Sequence, residues 1–264
     1  VDNLYRILEA LGRTTRDRKL APIERKLAKD MAPAFRRQGR IFLRALSKTD
    51  LPKITESAGD GDWEQAWRET EEQTQTSMTT LLLQAARRSF AVGIDEALAN
   101  IGLSISFSVR SPEAIQFLRD YGAERVTMIN ETTRGIIRDI IVRGLEQGIP
   151  YSSLADEISA RFAEFAAPQP QRHLRNRAEL VAVTETANAY GEAGRQTSQR
   201  IAAQGISLEK SWLTTGDDRV SDGCRRNAAA GWIGLDTPFP SGHQREPRFP
   251  GCRCTVQYRR MRRD

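Results

Sequence analysis

The stretch Val126–Leu145, VTMINETTRGIIRDIIVRGL, carries apolar side chains at Val126, Ile129, Ile136, Ile137, Ile140, Ile141 and Leu145. Their spacing follows the 3.6-residue period of an α-helix, which gathers them on one face, and not the two-residue period of a strand. Gly148-Ile-Pro150 stops this helix, and Ser111-Pro112-Glu113 offers an upstream start, with Ser at the cap and Pro in the first turn. Segment Ser104 to Val109 alternates only weakly and reads as a connecting strand or loop.

The same period extends outward. Leu20, Ile23, Leu27, Met31, Phe35, Phe42 and Leu46 line one face of a helix from Asp17 to Leu46, which Pro33 is placed to kink. A turn-rich break at Ser57 to Asp62 precedes a helix from Trp63 to Ile101, whose polar tract Thr70 to Thr80 reads as its less buried middle. After Pro150, Ser152 or Ser153 caps a helix lined by Leu154, Ile158, Phe162 and Phe165, which Pro168-Gln-Pro170 ends. A last helix runs from about Arg172 to Gly205. Its many small residues, among them Ala178, Ala182, Ala187, Ala189, Gly191, Ala193 and Gly194, let a neighbouring backbone come close.

Beyond Gly205 the helical period ends. A strand over Ser207 to Thr215, a Gly- and Pro-rich stretch and a closing strand at Cys252 to Tyr258 form a small module. The expected fold is therefore mainly α: a basic helical N-terminal region (1–110), a helical central region (111–205) and a small, loop-rich α+β C-terminal module (206–264).

The net charge of +6 over 264 residues is unevenly spread. Residues 1–53 hold 14 basic and 6 acidic side chains and residues 245–264 hold 7 and 2, so two basic ends flank an acidic middle. This excludes an acidic solvating protein and admits a polyanion partner. Arg25, Lys26, Lys29, Arg36, Arg37, Arg40 and Arg44 occupy the polar side of the first long helix, either as a solvated face or as a contact for DNA or an acidic protein. The C-terminal candidates for phosphate contact are Arg245, Arg248, Arg253, Arg259, Arg260, Arg262 and Arg263. No apolar run approaches the roughly 20 residues a membrane span needs, and no signal-peptide pattern is present, so a soluble protein without membrane contact is expected. The chain opens on Val1 rather than Met, as a piece of a longer product would.

All three cysteines fall in the last 41 residues, unlike a disulfide scaffold. Cys224, His243, Cys252 and Cys254 supply four soft ligands, and Cys252 and Cys254 would share one face of a strand. A structural Cys3His zinc site is one reading; thiols packed as small hydrophobes are the other. Catalytic motifs are scarce: there are two histidines, His173 and His243, and no phosphate loop, zinc-protease helix or nucleophile elbow. Glu185 sits among small and apolar residues, and Asp217-Asp218 forms an acidic turn; both fit structural hydrogen bonding better than general-base chemistry. No catalytic residue is assigned. A metal-dependent nuclease using the cysteine cluster, and a generic basic DNA-binding protein, are the alternatives.

The order of motifs resembles that of the phage Mu protein F-like minor head proteins, also called phage head morphogenesis proteins. The matching residues are Glu131-Thr-Thr-Arg134, Gly144 to Gly148, Arg177-Ala178, Thr184-Glu185, Lys210-x-Trp212, Asp217-Asp218-Arg219, Cys224, Gly231-Trp-Ile, Phe239-Pro and Pro247 to Cys254. Together they cover about Ser111 to Tyr258. Where many relatives carry His-Pro before Cys-Arg-Cys, this chain has Phe249-Pro250. The resemblance implies a non-enzymatic virion protein of a tailed bacteriophage, present at the portal vertex of the head after assembly in the host cytoplasm. Its implied partners are the portal protein, other capsid or scaffold proteins and double-stranded DNA, during packaging or ejection.

Overall fold

The computed structural model describes residues 2–48, 62–103, 112–147, 149, 151–164, 177–216 and 220–261. Among them are helices α1 (Asp2–Leu46), α2 (Asp62–Ile101), α3 (Pro112–Glu146), α4 (Tyr151–Glu164), α5 (Arg177–Ala203) and α6 (Asp222–Ala229), and strands β1 (Leu208–Leu213), β2 (Trp232–Gly234) and β3 (Thr255–Arg260). The chain is mainly α with a small antiparallel sheet of order β2-β1-β3, as the periodicity predicts.

The two larger cores share the helices α2, α3 and α5. The first joins Leu27, Phe35 and Phe42 of α1, Trp67 and Met78 of α2, Ile137 and Ile141 of α3, Ile158 and Phe162 of α4, and Ala178 and Ala182 of α5. The second joins Phe90, Ile94 and Leu98 of α2 and Ala193 and Ile201 of α5 to Trp212, Phe239, Val256 and Tyr258. The small residues of α5 serve both, and 18 of its 27 residues are buried. At Gly93 of α2 the backbones nearly touch: a Cβ there would lie 2.3 Å from the Tyr190 carbonyl oxygen.

Several local expectations are corrected. The first long helix already runs from Asp2, well before Asp17, and continues through both Pro22 and Pro33. Both prolines are exposed, so the carbonyls they leave without an N–H partner lie on the watered side, where helices bow outward anyway. Tyr151 is already helical, so Ser152 and Ser153 lie inside α4 instead of capping it. The polar tract of α2 is its less buried part, as expected, yet Thr70, Thr74 and Met78 still face the core. Thr70 and Thr74 satisfy their hydroxyls on the carbonyls of Ala66 and Thr70, and Gln38 of α1 donates to Thr74 and to Asn130 of α3, 3.0 Å away. A threonine that can bond its own helix backbone is buried at little cost. Segments 104–111 and 165–176, with the loop expectation and the start of the last predicted helix, lie outside the described residues.

In the sheet, Leu208, Lys210 and Trp212 of β1 alternate onto the core face, as the two-residue period requires. The register pairs Lys210 with Tyr258 and Trp212 with Val256. The outer partners Glu209 and Arg259 are joined by an ion pair of 2.5 Å.

Candidate functional site

Two places concentrate chemistry: a buried thiol cluster at the base of the sheet, and the outer face of α1.

The sulfurs of Cys224, Cys252 and Cys254 lie within 4.8 Å of one another, and Cys224 Sγ is 3.9 Å from Cys252 Sγ. All three residues are buried, at 0%, 2% and 4% exposure. Cys224 is placed by α6, a helix the Gly-rich sequence context conceals. Ser221 caps it, accepting from the Cys224 N–H, and Asp222 stands in its first turn. Cys252 ends a tight turn in which its N–H donates to the Phe249 carbonyl at 3.0 Å and Gly251 adopts φ +80°. The strand begins only at Thr255, so Cys252 and Cys254 precede β3 and are aligned by the turn, not by a pleat. Donation to the Cys224 sulfur pushes the Cys252 and Cys254 thiols up, and accepting those bonds pulls Cys224 well below the ordinary thiol range.

His243 does not join this cluster. Its Nδ1 faces the Ser241 hydroxyl at 3.1 Å and the Ser241 carbonyl at 3.0 Å, in a turn closed by Asn227, which bonds Ser241 through both ends of its amide. The residue that joins the thiols is Arg248. Its guanidinium reaches Ser221 Oγ at 3.0 Å, stacks on Phe249 and lies so close over Gly223, next to Cys224, that a Cβ there would meet its Cζ at 2.7 Å. Sequence reading places Arg248 with the DNA contacts; the glycine at 223 is the only local sign of its inward course.

Arg245, Arg253 and Arg259 also have intramolecular partners. Arg245 donates to Glu192 at 2.7 Å and to the Glu246 carbonyl at 2.5 Å. Arg253 faces Glu24 of α1 at 3.8 Å, and Arg259 covers the Trp232 ring at 3.9 Å besides its pair with Glu209. Arg260 is exposed, and Arg262 and Arg263 lie outside the described residues. Burial pushes the Glu192 carboxyl up, but bonds from Arg195 and the charges of Arg245 and Arg195 outweigh it, and the net shift is downward.

The outer face of α1 differs. Arg18, Arg25, Lys29, Arg36, Arg40 and Arg44 follow one another at intervals of seven or four and are all exposed. Among the described residues none of the six has a carboxylate partner, whereas Lys19 is paired with Glu96 and Lys26 with Asp30. From Arg18 to Arg40 the stripe is about 33 Å long at 1.5 Å per residue.

Several of the motif residues are packed or paired within the fold. Arg177 is buried, donates to the Ile129 carbonyl at 2.6 Å and lies over the Phe35 ring, and desolvation lowers its pKa to about 10. Glu185 accepts from the Tyr121 hydroxyl and has Arg125 at 3.8 Å, yet burial pushes its carboxyl up. Trp212 packs edge-on against Phe239 at 5.1 Å. Arg134 pairs with Glu64, and Glu131 is exposed. Asp217 and Asp218 lie outside the described residues.

Residues 135–257 match the family model described as Phage Mu protein F like protein. The match begins within α3 and ends within β3, so it takes in Arg177, Glu185, Trp212 and the three cysteines but leaves Glu131, Arg134 and the α1 stripe upstream. No curated protein and no solved structure matches the chain.

Proposed function

We propose, from the premise that residues 135–257 belong to the Phage Mu protein F-like family, that the chain is a head morphogenesis protein of a tailed bacteriophage. In this reading it sits at the portal vertex of the head and touches packaged DNA. The helical body docks on portal or scaffold, and the outer face of α1 lies along the duplex. The observation that carries the DNA contact is the stripe from Arg18 to Arg44, exposed and without carboxylate partners among the described residues. From Arg18 to Arg40 it spans about 33 Å, close to one turn of B-DNA, so a row of phosphates is within reach. Such contacts release counterions and carry no sequence information, as suits a protein that meets whatever genome fills the head. Among the described residues, no helix is long and apolar enough to cross a membrane.

The test has two arms. Mass spectrometry of purified heads is expected to find the protein in few copies together with the portal; its absence from every head form overturns the virion reading. Duplex binding by the isolated chain is expected to fall with salt at a log–log slope of about −4.5 if five phosphates are engaged. Replacing Arg25, Lys29, Arg36 and Arg40 by Gln should leave a slope of about −0.9, while Arg245→Gln, an internal residue, leaves it unchanged. Equal slopes for the wild type and the fourfold variant overturn the assignment to α1.

A further inference from the structure

The thiol cluster has a consequence independent of any role in the head. We propose that Cys224, Cys252 and Cys254 hold one zinc ion through three thiolates, tying α6 to the turn that leads into β3. Zinc lies about 2.3 Å from each thiolate sulfur, so tetrahedral ligands stand about 3.8 Å apart. The Cys224–Cys252 separation of 3.9 Å already has that value, and all three sulfurs converge within 4.8 Å. Forming the disulfide would instead require closing that gap to about 2.05 Å.

Packing as small hydrophobes explains the burial but not the company. Arg248 brings a cation over Gly223, next to Cys224, and its Nε is buried without a hydrogen-bond partner. A neutral thiol is a weak acceptor for such a donor, whereas a metal-bound thiolate is a strong one. Charge balances as well. Three thiolates and Zn2+ sum to −1, and the Arg248 guanidinium restores neutrality in a place where a net charge is costly. The N-terminal turn of α6, at which Cys224 sits, adds a partial positive charge on the same side.

The donor set also selects the metal. Three sulfurs with no carboxylate or imidazole among the described residues within reach favour a soft ion over Mg2+ or Ca2+. Zinc is the thiophilic ion without redox chemistry and so suits a structural tie. With three protein ligands the fourth tetrahedral position falls to a small exogenous ligand. The tie closes the segment between Cys224 and Cys252, which holds the irregular stretch from Leu235 to Gly251 and has little core of its own. Such units are commonly fastened by a metal.

The experiment uses the full chain, purified under reducing conditions without chelator. Elemental analysis is expected to give about one zinc per chain, and a strong chelator should remove it and make all three thiols alkylatable. Adding Co2+ to the stripped protein should produce thiolate-to-cobalt charge-transfer absorption that saturates at one equivalent. In Cys254→Ser the zinc content should fall at least about tenfold. Unfolding of that variant would also lower its zinc content, so the wild-type cobalt titration decides. Wild-type protein of normal helicity that carries no zinc and develops no charge-transfer band with Co2+ overturns the site. So does a chelator-stripped wild-type chain whose three thiols alkylate at the same rate with and without added Zn2+, or a chain isolated with a Cys224–Cys252 disulfide.

Discussion

Replacing Gly93 by alanine puts the close contact between α2 and α5 to a direct test. The new methyl carbon would lie 2.3 Å from the Tyr190 carbonyl oxygen and 2.8 Å from Ala193 Cβ. Ordinary contact needs about 1 Å more, and the obstacle is backbone, so the two helices must separate along a shared core. Overpacking of this kind costs about 3 kcal/mol, at the upper end of its usual range because no flexible side chain can yield. Alanine recovers about 1 kcal/mol of helix propensity, which leaves a net loss of about 2 kcal/mol. For a chain of this size that lowers Tm by about 4–8 °C. Gly135→Ala in α3 is the paired control. Nothing lies within 4 Å of its Cβ position, so only the propensity gain of about 1 kcal/mol remains and Tm rises by about 2–4 °C. Thermal melts of both variants by circular dichroism are the assay. A Gly93→Ala variant as stable as the wild type, or two variants that shift in the same direction, would refute the argument.

Two pH effects follow from buried charges. The Glu185 carboxyl has a raised pKa, so the folded chain keeps a proton that the unfolded chain loses above the ordinary value of 4.5, and stability falls as pH rises through that range. Glu185→Gln, which can still accept from Tyr121, should therefore gain stability relative to wild type between pH 4 and pH 7 in urea melts; a constant difference would contradict the buried carboxyl. Lys210 is lowered to about 8 by desolvation, against an unfolded value of 10.5, although Asp236 opposes the shift. Between those values the unfolded chain holds a proton the folded one has released, so wild-type stability rises with pH. The advantage of Lys210→Met over wild type should shrink across that window, and a gap that widens would reverse the sign assigned to Lys210.

How much of this was legible in the sequence depends on the distance over which each feature is encoded. The paired isoleucines of α3 and the apolar row from Leu20 to Leu46 announce their helices because the period lies within the segment itself. The arginine stripe is visible for the same reason. The Thr70 to Thr80 tract is less buried than the rest of its helix, as its polarity implies, but that polarity does not reveal that Thr70 and Thr74 turn inward and satisfy themselves on their own helix. The site was legible only as a list of soft ligands. Nothing local says that Cys224 meets Cys252, 28 residues away, while His243 turns to Ser241. Nor does an arginine in a basic tail reveal that it points inward: Arg245 and Arg259 find Glu192 and Glu209, 53 and 50 residues distant.

The helix α5 stands in the middle of both cores, and this makes it a shaft. Its 27 residues extend about 40 Å, from the Arg177–Phe35 contact at one end to Ile201 beside the sheet at the other. Sliding is blocked on two sides: Tyr190 is pressed against Gly93, and a Cβ at Gly191 would lie 2.7 Å from the Glu246 carbonyl oxygen. Held at both contacts, α5 links the packing of the sheet end to the packing beneath α1. Whatever the arginine stripe grips and whatever the thiol end is fastened to are thus mechanically one object.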